Sequence, residues 1–274
     1  MPELPEVEGV RHYLDPLLAG RTVLSAEVIR PKIIARPDAA AFCEAVTGRT
    51  FAGVGRRAKF LLLRLKDGGT VILHLRMTGL PLVVPAAAPR EKHTHVIFHL
   101  DGDDDLRYID YRQFGRFWLL EPGETDDFTG MAKLGPEPLT RAFGPKTLEK
   151  ALVNRKAPIK ACLLDQTVVA GLGNIYADEV LFAAGVRPDR AADALTAAET
   201  ARIARCTKKI LTAAVAKDRM TRTEYEAQHG AERRDAERLN VYGRKGQPCV
   251  QCGTPLLRIT VGQRSSYFCP KCQH

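Results

Sequence analysis

The chain contains no run of eighteen apolar residues, so no helical membrane span is expected. Its first residues lack a basic segment leading into an apolar one, so no secretory signal is expected either, and the protein is read as cytoplasmic. No internal repeat or low-complexity tract appears, and the Ala-rich stretches simply favour helix. Aromatics are sparse at 7%, against 27% charged and 45% apolar residues, a balance that fits a globular protein with a real core. The scarcest commodity is acid near the end. Residues 201–274 hold 15 Lys/Arg but only 6 Asp/Glu, and that stretch carries the whole net charge of +9. A basic C-terminal unit suits a polyanion such as nucleic acid. A solvated basic face kept for solubility explains the same numbers.

Seven cysteines are present. Cys43, Cys162 and Cys206 are isolated in apolar or helical contexts and read as buried thiols. Cys249, Cys252, Cys269 and Cys272 form C-x2-C-x16-C-x2-C, a spacing that offers four thiolates to one tetrahedral zinc. Two disulfides are the alternative, disfavoured in a reducing compartment. Four thiolates fill the coordination shell, so such a zinc is structural and leaves no position for water or substrate.

Helical apolar spacing runs through residues 3–19, and Gly20 can end that helix. Short strand-like runs follow: TVLSAEVIR, KFLLLRL, TVILHL, HVIFHL, LRYIDY and GRFWLL. They are bounded by turn residues, with KDGGT and LDGDDDL as hairpin turns. An antiparallel sandwich or barrel over about residues 22–120 is the expectation. From 145 to 228 the pattern turns helical, in TLEKALVNRK, PIKACLLDQ, NIYADEVLFAAG and AAETARIARCTKKILTAAVAK. Residues 247–274 are too few for a core of their own and need the metal. The fold class is α+β. Three domains are expected: 1–125 with the first helix and the β-sandwich, 135–240 helical, and 241–274 the metal-bound hairpin.

Four places carry chemistry. Pro2 follows a removable Met1 and becomes a terminal secondary amine. With a pKa near 8, about a tenth of such an amine is unprotonated at pH 7, against roughly a few in ten thousand for lysine. It is a Schiff-base nucleophile without special tuning. Glu3 and Glu6 follow it, although acids in the first turn of a helix also simply complement its dipole. Lys59 opens an apolar strand after two arginines, which is also how an ordinary basic turn looks. Gly171 and Gly173 precede Asn174 at a helix start, an arrangement able to hold phosphate but equally an ordinary turn. Arg264 sits on the hairpin between the cysteine pairs, placed either to hold a phosphate or to meet solvent.

PELPEVE after Met1, RRAKFLLL, HLRMTG, KHTHV, FGRF, LGPEPL, VAGLGNIYADEVLFAAGVRP, VYGRKGQPC and the paired cysteines occur in order along nearly the whole chain. Together they resemble formamidopyrimidine-DNA glycosylase, of the Fpg/Nei group. The resemblance implies an N-terminal helix with a β-sandwich, a helix–two-turn–helix domain and a zinc-finger hairpin. It implies an enzyme that removes oxidised purines from damaged double-stranded DNA and cuts the strand at the abasic sugar by β,δ-elimination. It also implies a monomer with one structural zinc, no cofactor in the chemistry and no membrane partner. By the same resemblance Pro2 attacks C1′, Glu3 is the acid/base, Glu6 supports the site, Lys59 assists elimination and Arg264 assists the second elimination. Asn174 binds phosphate, Lys160 lies at the lesion pocket, and His93, Arg112 and Arg155 contact DNA. Met77, Arg112 and Phe114 fill the gap left by the extruded nucleotide.

Three features depart from the family pattern. Arg76 stands where a small residue is usual, and Tyr111 and Gln113 stand where a proline and a second arginine are usual. The stretch 217–238 lacks the family's Gly/Thr-rich loop and GYF-like segment that cap the flipped base. A preference for oxidised pyrimidines is therefore the close alternative. A zinc-dependent DNA-binding protein without catalysis is a further one, against which Pro2, Glu3 and Lys59 stand together.

Overall fold

The computed structural model describes residues 1–218, 222–227 and 239–274. They form two compact units: Met1–Ala132 with Lys217–Glu232, and Lys133–Ala216 with Arg233–His274.

The first unit opens with helix α1 (Leu4–Leu18), whose Leu4, Val7, Val10, Leu14 and Leu18 are buried at helical spacing. Two sheets follow. One is wholly antiparallel, in the order β1 (Val23–Val28), β7 (Thr94–Leu100), β8 (Asp104–Asp110) and β6 (Gly79–Pro85). The other runs β2 (Ile34–Arg36), β9 (Arg116–Leu120), β5 (Thr70–His74), β4 (Phe60–Leu65) and β3 (Phe51–Arg57), antiparallel except for the β2–β9 pair. Inward residues of both sheets, such as Leu61 and Leu63 on β4 and Val96 and Phe98 on β7, join α1 in one core. The expected sandwich-or-barrel thus resolves as a sandwich. α1 is fastened to β3 by polar contacts at its margin. Asp15 Oδ1 accepts the Val54 N–H at 2.7 Å, and Glu8 accepts from Arg56 at 2.6 Å and from Arg11 at 2.7 Å.

Four elements had no counterpart among the expected ones: β2, β3, β6 and α2 (Ala39–Val46). β6 carries Pro81 and Pro85, residues that argue against a strand; the sheet tolerates them because β6 is an edge, paired only to β8. β3 is also an edge, and Gly53 and Gly55 break its alternation. α2 has a capping signal, Asp38 Oδ1 accepting from the Ala40 and Ala41 N–H groups at 2.9 and 3.0 Å.

In the second unit lie α3 (Pro145–Leu152), α4 (Ile159–Leu164), α5 (Asn174–Ala184) and α6 (Ala197–Lys217). The hairpin β10 (Leu257–Val261) and β11 (Arg264–Phe268) completes it. α6 coincides with its sequence expectation. Phe182 of α5 packs with Val241, Leu256 and the buried Cys249 and Cys269. No helix among the described residues is long and apolar enough to cross a membrane.

The stretch after α6 departs from the expected domain limits. α7 (Arg222–Ala227) belongs with the first unit, not with the helices it follows. Tyr225 is the reason: its ring stacks on Tyr13 of α1 with centroids 4.0 Å apart, and its hydroxyl donates to the Pro81 carbonyl at 3.2 Å. It is 1% exposed. Tyr225→Phe should cost about 1 kcal/mol, and Tyr225→Ala about 3 kcal/mol or more, read by urea unfolding of the first unit. An unchanged midpoint for the alanine variant would contradict this docking.

Candidate active site

The singled-out residues divide between the units. Pro2, Glu3, Glu6, Lys59, Met77, His93, Arg112 and Phe114 belong to the first, and Arg155, Lys160, Asn174, Arg264 and the four cysteines to the second.

Pro2 is buried and Glu3 is 2% exposed at the head of α1. Glu3 is the N-cap residue and Glu6 the third residue of the helix. They close a capping box in which the Glu3 N–H donates to Glu6 Oε2 at 2.7 Å. Glu6 thereby fixes the backbone that presents Pro2 and Glu3. Lys59 lies in the two-residue turn between β3 and β4, after Ala58, whose φ is 51°. Arg56 braces that turn by donating to the Ala58 carbonyl at 2.9 Å. Lys59 is only 6% exposed.

His74 ends β5, beside Lys59. Its ring stands edge-on to Phe60 at 4.7 Å, and its Nδ1 accepts the Arg76 N–H at 3.0 Å. Burial, with the Arg76 and Lys59 charges adding to it, pushes its pKa from 6.5 down to about 3. The neutral ring closes the turn carrying Met77. Arg76 takes a φ of 56° there, the left-handed region that glycine adopts freely; a side chain at such a φ costs about 1–2 kcal/mol.

Met77, His93, Arg112 and Phe114 are brought together by a residue that sequence reasoning passed over. Asp110 ends β8 and is 0% exposed. Its carboxylate accepts from the Thr78 hydroxyl and from the Arg112 and Gly115 N–H groups, and its own N–H donates to the His93 carbonyl. Arg112 and Phe114 are exposed, with the guanidinium carbon 4.9 Å from the Phe114 ring centre. Tyr111 is 61% exposed, its ring 4.7 Å from that of His93. Gln113 has φ 58°.

In the second unit α5 is the organiser. Glu179 is 3% exposed and accepts from the Asn240 N–H and side-chain amide and from the Val241 and Tyr242 N–H groups, at 2.8–3.0 Å. Asn174, first residue of α5, donates from Nδ2 to the Tyr242 hydroxyl at 3.3 Å. Its Oδ1 is buried without a hydrogen-bond partner. Asp178 accepts the Tyr267 N–H of β11 at 3.0 Å and pairs with Lys160 at 2.8 Å, while Lys160 also donates to the Ser265 carbonyl at 2.8 Å. Burial raises the Asp178 pKa against the pull of the Lys160 ammonium.

Lys160, expected at the lesion pocket, is 0% exposed; its ammonium pairs with Asp178 and donates to the Ser265 carbonyl, and so ties α4 to the hairpin. Arg155 is partly exposed, with Nη1 on Asp165 at 2.7 Å. Arg264 is exposed at the hairpin tip, beyond the turn formed by Gly262 and Gln263, whose φ values of 52° and 61° make a tight two-residue reversal.

The four cysteine sulfurs lie within 4.8 Å of one another, with the Cys249–Cys272 and Cys252–Cys269 pairs at 3.9 and 3.5 Å. Thiolates about 2.3 Å from a tetrahedral zinc stand roughly 3.8 Å apart, whereas a disulfide would bring them to about 2.0 Å. The donor set fits one zinc. Of the departures noted in 217–238, only 217–218 and 222–227 are described; the rest of that stretch lies outside the described residues.

Three family models match in order. The formamidopyrimidine-DNA glycosylase N-terminal domain covers residues 1–117, the formamidopyrimidine-DNA glycosylase H2TH domain 134–225, and the zinc finger found in FPG and IleRS 246–274. The formamidopyrimidine-DNA glycosylase of Symbiobacterium thermophilum is 46% identical over 273 residues, 100% of this chain and 89% of that one. That of Geobacillus kaustophilus is 44% identical, covering 100% of both chains. Among solved structures, Lactococcus lactis Fpg (MutM) in complex with a FAPY-dG containing DNA superposes with a TM-score of 0.90 at 34% identity, over 99% of this chain and 100% of that one. The same protein with an oxidized pyrimidine containing DNA matches with a TM-score of 0.90 at 34% identity, over 100% of both.

Two outcomes test the geometry. The unfolded chain takes up the His74 proton below pH 6.5 and the folded chain only near pH 3. Stability should therefore fall by about 1.4 kcal/mol per pH unit as pH drops through that window. The wild-type minus His74→Gln difference between pH 6.5 and 5 reads it, and a flat difference would contradict a buried neutral His74. Zinc chelation should raise hydrogen exchange in β10 and β11 while leaving the emission of Trp118, the one tryptophan and 8% exposed in β9, unchanged. Hairpin exchange indifferent to the chelator would refute a structural zinc.

Proposed function

Because the chain belongs to the formamidopyrimidine-DNA glycosylase family, we infer that its first residues are the reagent for excising oxidised purines from duplex DNA. Such an enzyme performs base-excision repair on formamidopyrimidines and 8-oxoguanine. The reading is carried above all by the burial of Pro2, Glu3 and Lys59 in one unit. Withdrawing a carboxylate and an ammonium from water costs stability, and ionisable groups kept buried in this way gather at functional sites.

Removal of Met1 exposes the Pro2 amine. A base inside a duplex hides C1′, so the damaged nucleotide is first turned out of the stack. Met77 and Phe114 enter the gap, and Arg112 hydrogen-bonds the orphaned partner base. The Pro2 nitrogen attacks C1′ as the base leaves with the electrons of its bond to C1′, and the nitrogen gives up its proton. Glu3 then protonates the sugar ring oxygen as the C1′–O4′ bond breaks, and the nitrogen lone pair closes a cationic Schiff base (iminium) with C1′. The iminium acidifies C2′; loss of that proton expels the 3′ phosphate, and a second elimination expels the 5′ phosphate. Lys59 and Arg264 hold the phosphates and assist these eliminations. His93 and Arg155 contact the backbone.

Asn174 stands at the start of α5, where the helix dipole favours phosphate. Turning its amide over would let the Tyr242 hydroxyl donate to Oδ1 and free Nδ2 for the phosphate. Zinc held by Cys249, Cys252, Cys269 and Cys272 fixes the hairpin bearing Arg264 and takes no part in the reaction. The protein acts as a monomer, and its site of action is the DNA of the cytoplasm.

Glu3→Gln should lower excision of 8-oxoguanine by roughly a hundredfold or more while cleavage of a pre-formed abasic site falls much less, because that sugar no longer holds a base to expel. Equal losses on both substrates would refute the proton-donor role. In the wild-type protein, duplexes carrying formamidopyrimidine-guanine or 8-oxoguanine should be processed faster than one carrying thymine glycol; the reverse order would assign it to oxidised pyrimidines.

A further inference from the structure

We propose that Asp110 is a positioning residue that sets Met77, Arg112 and Phe114 as one rigid insert, so that the three enter the duplex gap together. The proposal rests on the role just given to those side chains. Thr78 follows Met77, and Gly115 follows Phe114. Asp110 Oδ1 accepts the Thr78 hydroxyl at 2.5 Å and the Arg112 N–H at 3.2 Å. Oδ2 accepts the Gly115 N–H at 2.8 Å and the Tyr108 hydroxyl at 3.3 Å. The Arg112 N–H also reaches the Thr78 oxygen at 3.1 Å, which joins the two loops directly. The Asp110 main chain adds the Gln113 N–H to its carbonyl at 3.2 Å, His95 Nε2 to the same carbonyl at 3.0 Å, and its own N–H to the His93 carbonyl at 3.0 Å.

The fit around this group is close. A Cβ on Gly79 or on Gly115 would collide with the Tyr108 hydroxyl, so both loops are pressed onto the residue that also donates to Asp110. Among the described residues no ion pair reaches the Asp110 carboxylate; its side-chain donors are hydroxyls and main-chain N–H groups. A fully buried charge held only by neutral donors adds little net stability, because its desolvation offsets what the donors return. What it does supply is geometry, since each donor must keep its place for the charge to stay satisfied. The loops it fixes end in exposed Arg112 and Phe114, and the tight 74–79 turn it fixes carries Met77.

The test uses the full-length, zinc-loaded protein with Asp110→Asn and, separately, Thr78→Val, which cuts only the link to the Met77 turn. Two substrates separate positioning from folding: a duplex carrying 8-oxoguanine opposite cytosine, and a single strand carrying an abasic site, which has no gap to fill. A 2-aminopurine beside the lesion reports insertion. Asp110→Asn should lower duplex excision at least tenfold, about 1.4 kcal/mol of barrier, and slow the 2-aminopurine signal in parallel. Single-strand cleavage should stay within about twofold. Thr78→Val should lower duplex excision in the same sense by a smaller factor, and the double variant should lose less than the product of the two single factors, because both act on one network. Unchanged duplex excision, or equal losses on both substrates, overturns the proposal. Where Asp110→Asn fails to fold, Thr78→Val decides, and normal duplex excision by it counts against. A wild-type protein that cleaves neither substrate overturns the underlying functional reading, and the proposal with it.

Discussion

Buried carboxylates that collect main-chain donors hold this protein's working loops in place. An ionised oxygen withdrawn from water needs its full complement of hydrogen bonds, and backbone N–H groups can supply them only if the chain takes one particular path. Glu179 imposes that demand on residues 240–242, Asp178 on β11, and Asp110 on the loops of Met77, His93, Arg112 and Phe114. The capping box of Glu3 and Glu6 does the same for the start of α1. Asp110 stands behind Met77, Arg112 and Phe114, and Asp178 behind the hairpin that bears Arg264, the side chains proposed to meet DNA.

The zinc hairpin follows the same logic with a metal added. Residues 246–274 have too little apolar surface to fold unaided, and the four sulfurs draw both ends of the segment together. The tie to α5 comes from Asp178 and from Lys160, whose ammonium reaches the Ser265 carbonyl one residue beyond Arg264. Lys160 thus steadies the strand that bears Arg264.

Much of this was legible in the sequence, and what was not had physical reasons. α6 and α5 matched their expectations because their apolar spacing and end signals are strong and local. The cysteine spacing named its metal. β6 and β3 were missed because prolines and glycines are tolerated on sheet edges for reasons visible only once neighbours are known. α7 was read among the helices after residue 145, whereas Tyr225 docks on Tyr13, more than two hundred positions earlier. Lys160 was placed at the lesion pocket, and its partner Asp178, 2.8 Å away, was not legible because the pairing joins α4 to α5 in space. Asp110 drew no notice beside the conspicuous Arg112 and Phe114, although a lone acid closing an apolar strand before a Gly-containing loop is a signal worth reading.

The account stands or falls on Pro2. Borohydride added during turnover of an 8-oxoguanine duplex reduces the imine and leaves a permanent protein–DNA bond. Peptide mapping of that adduct by mass spectrometry should find the bond on the nitrogen of Pro2, in chains that have lost Met1. An adduct on Lys59, or one formed equally well by chains that retain Met1, would contradict the assignment of the terminal amine as the nucleophile.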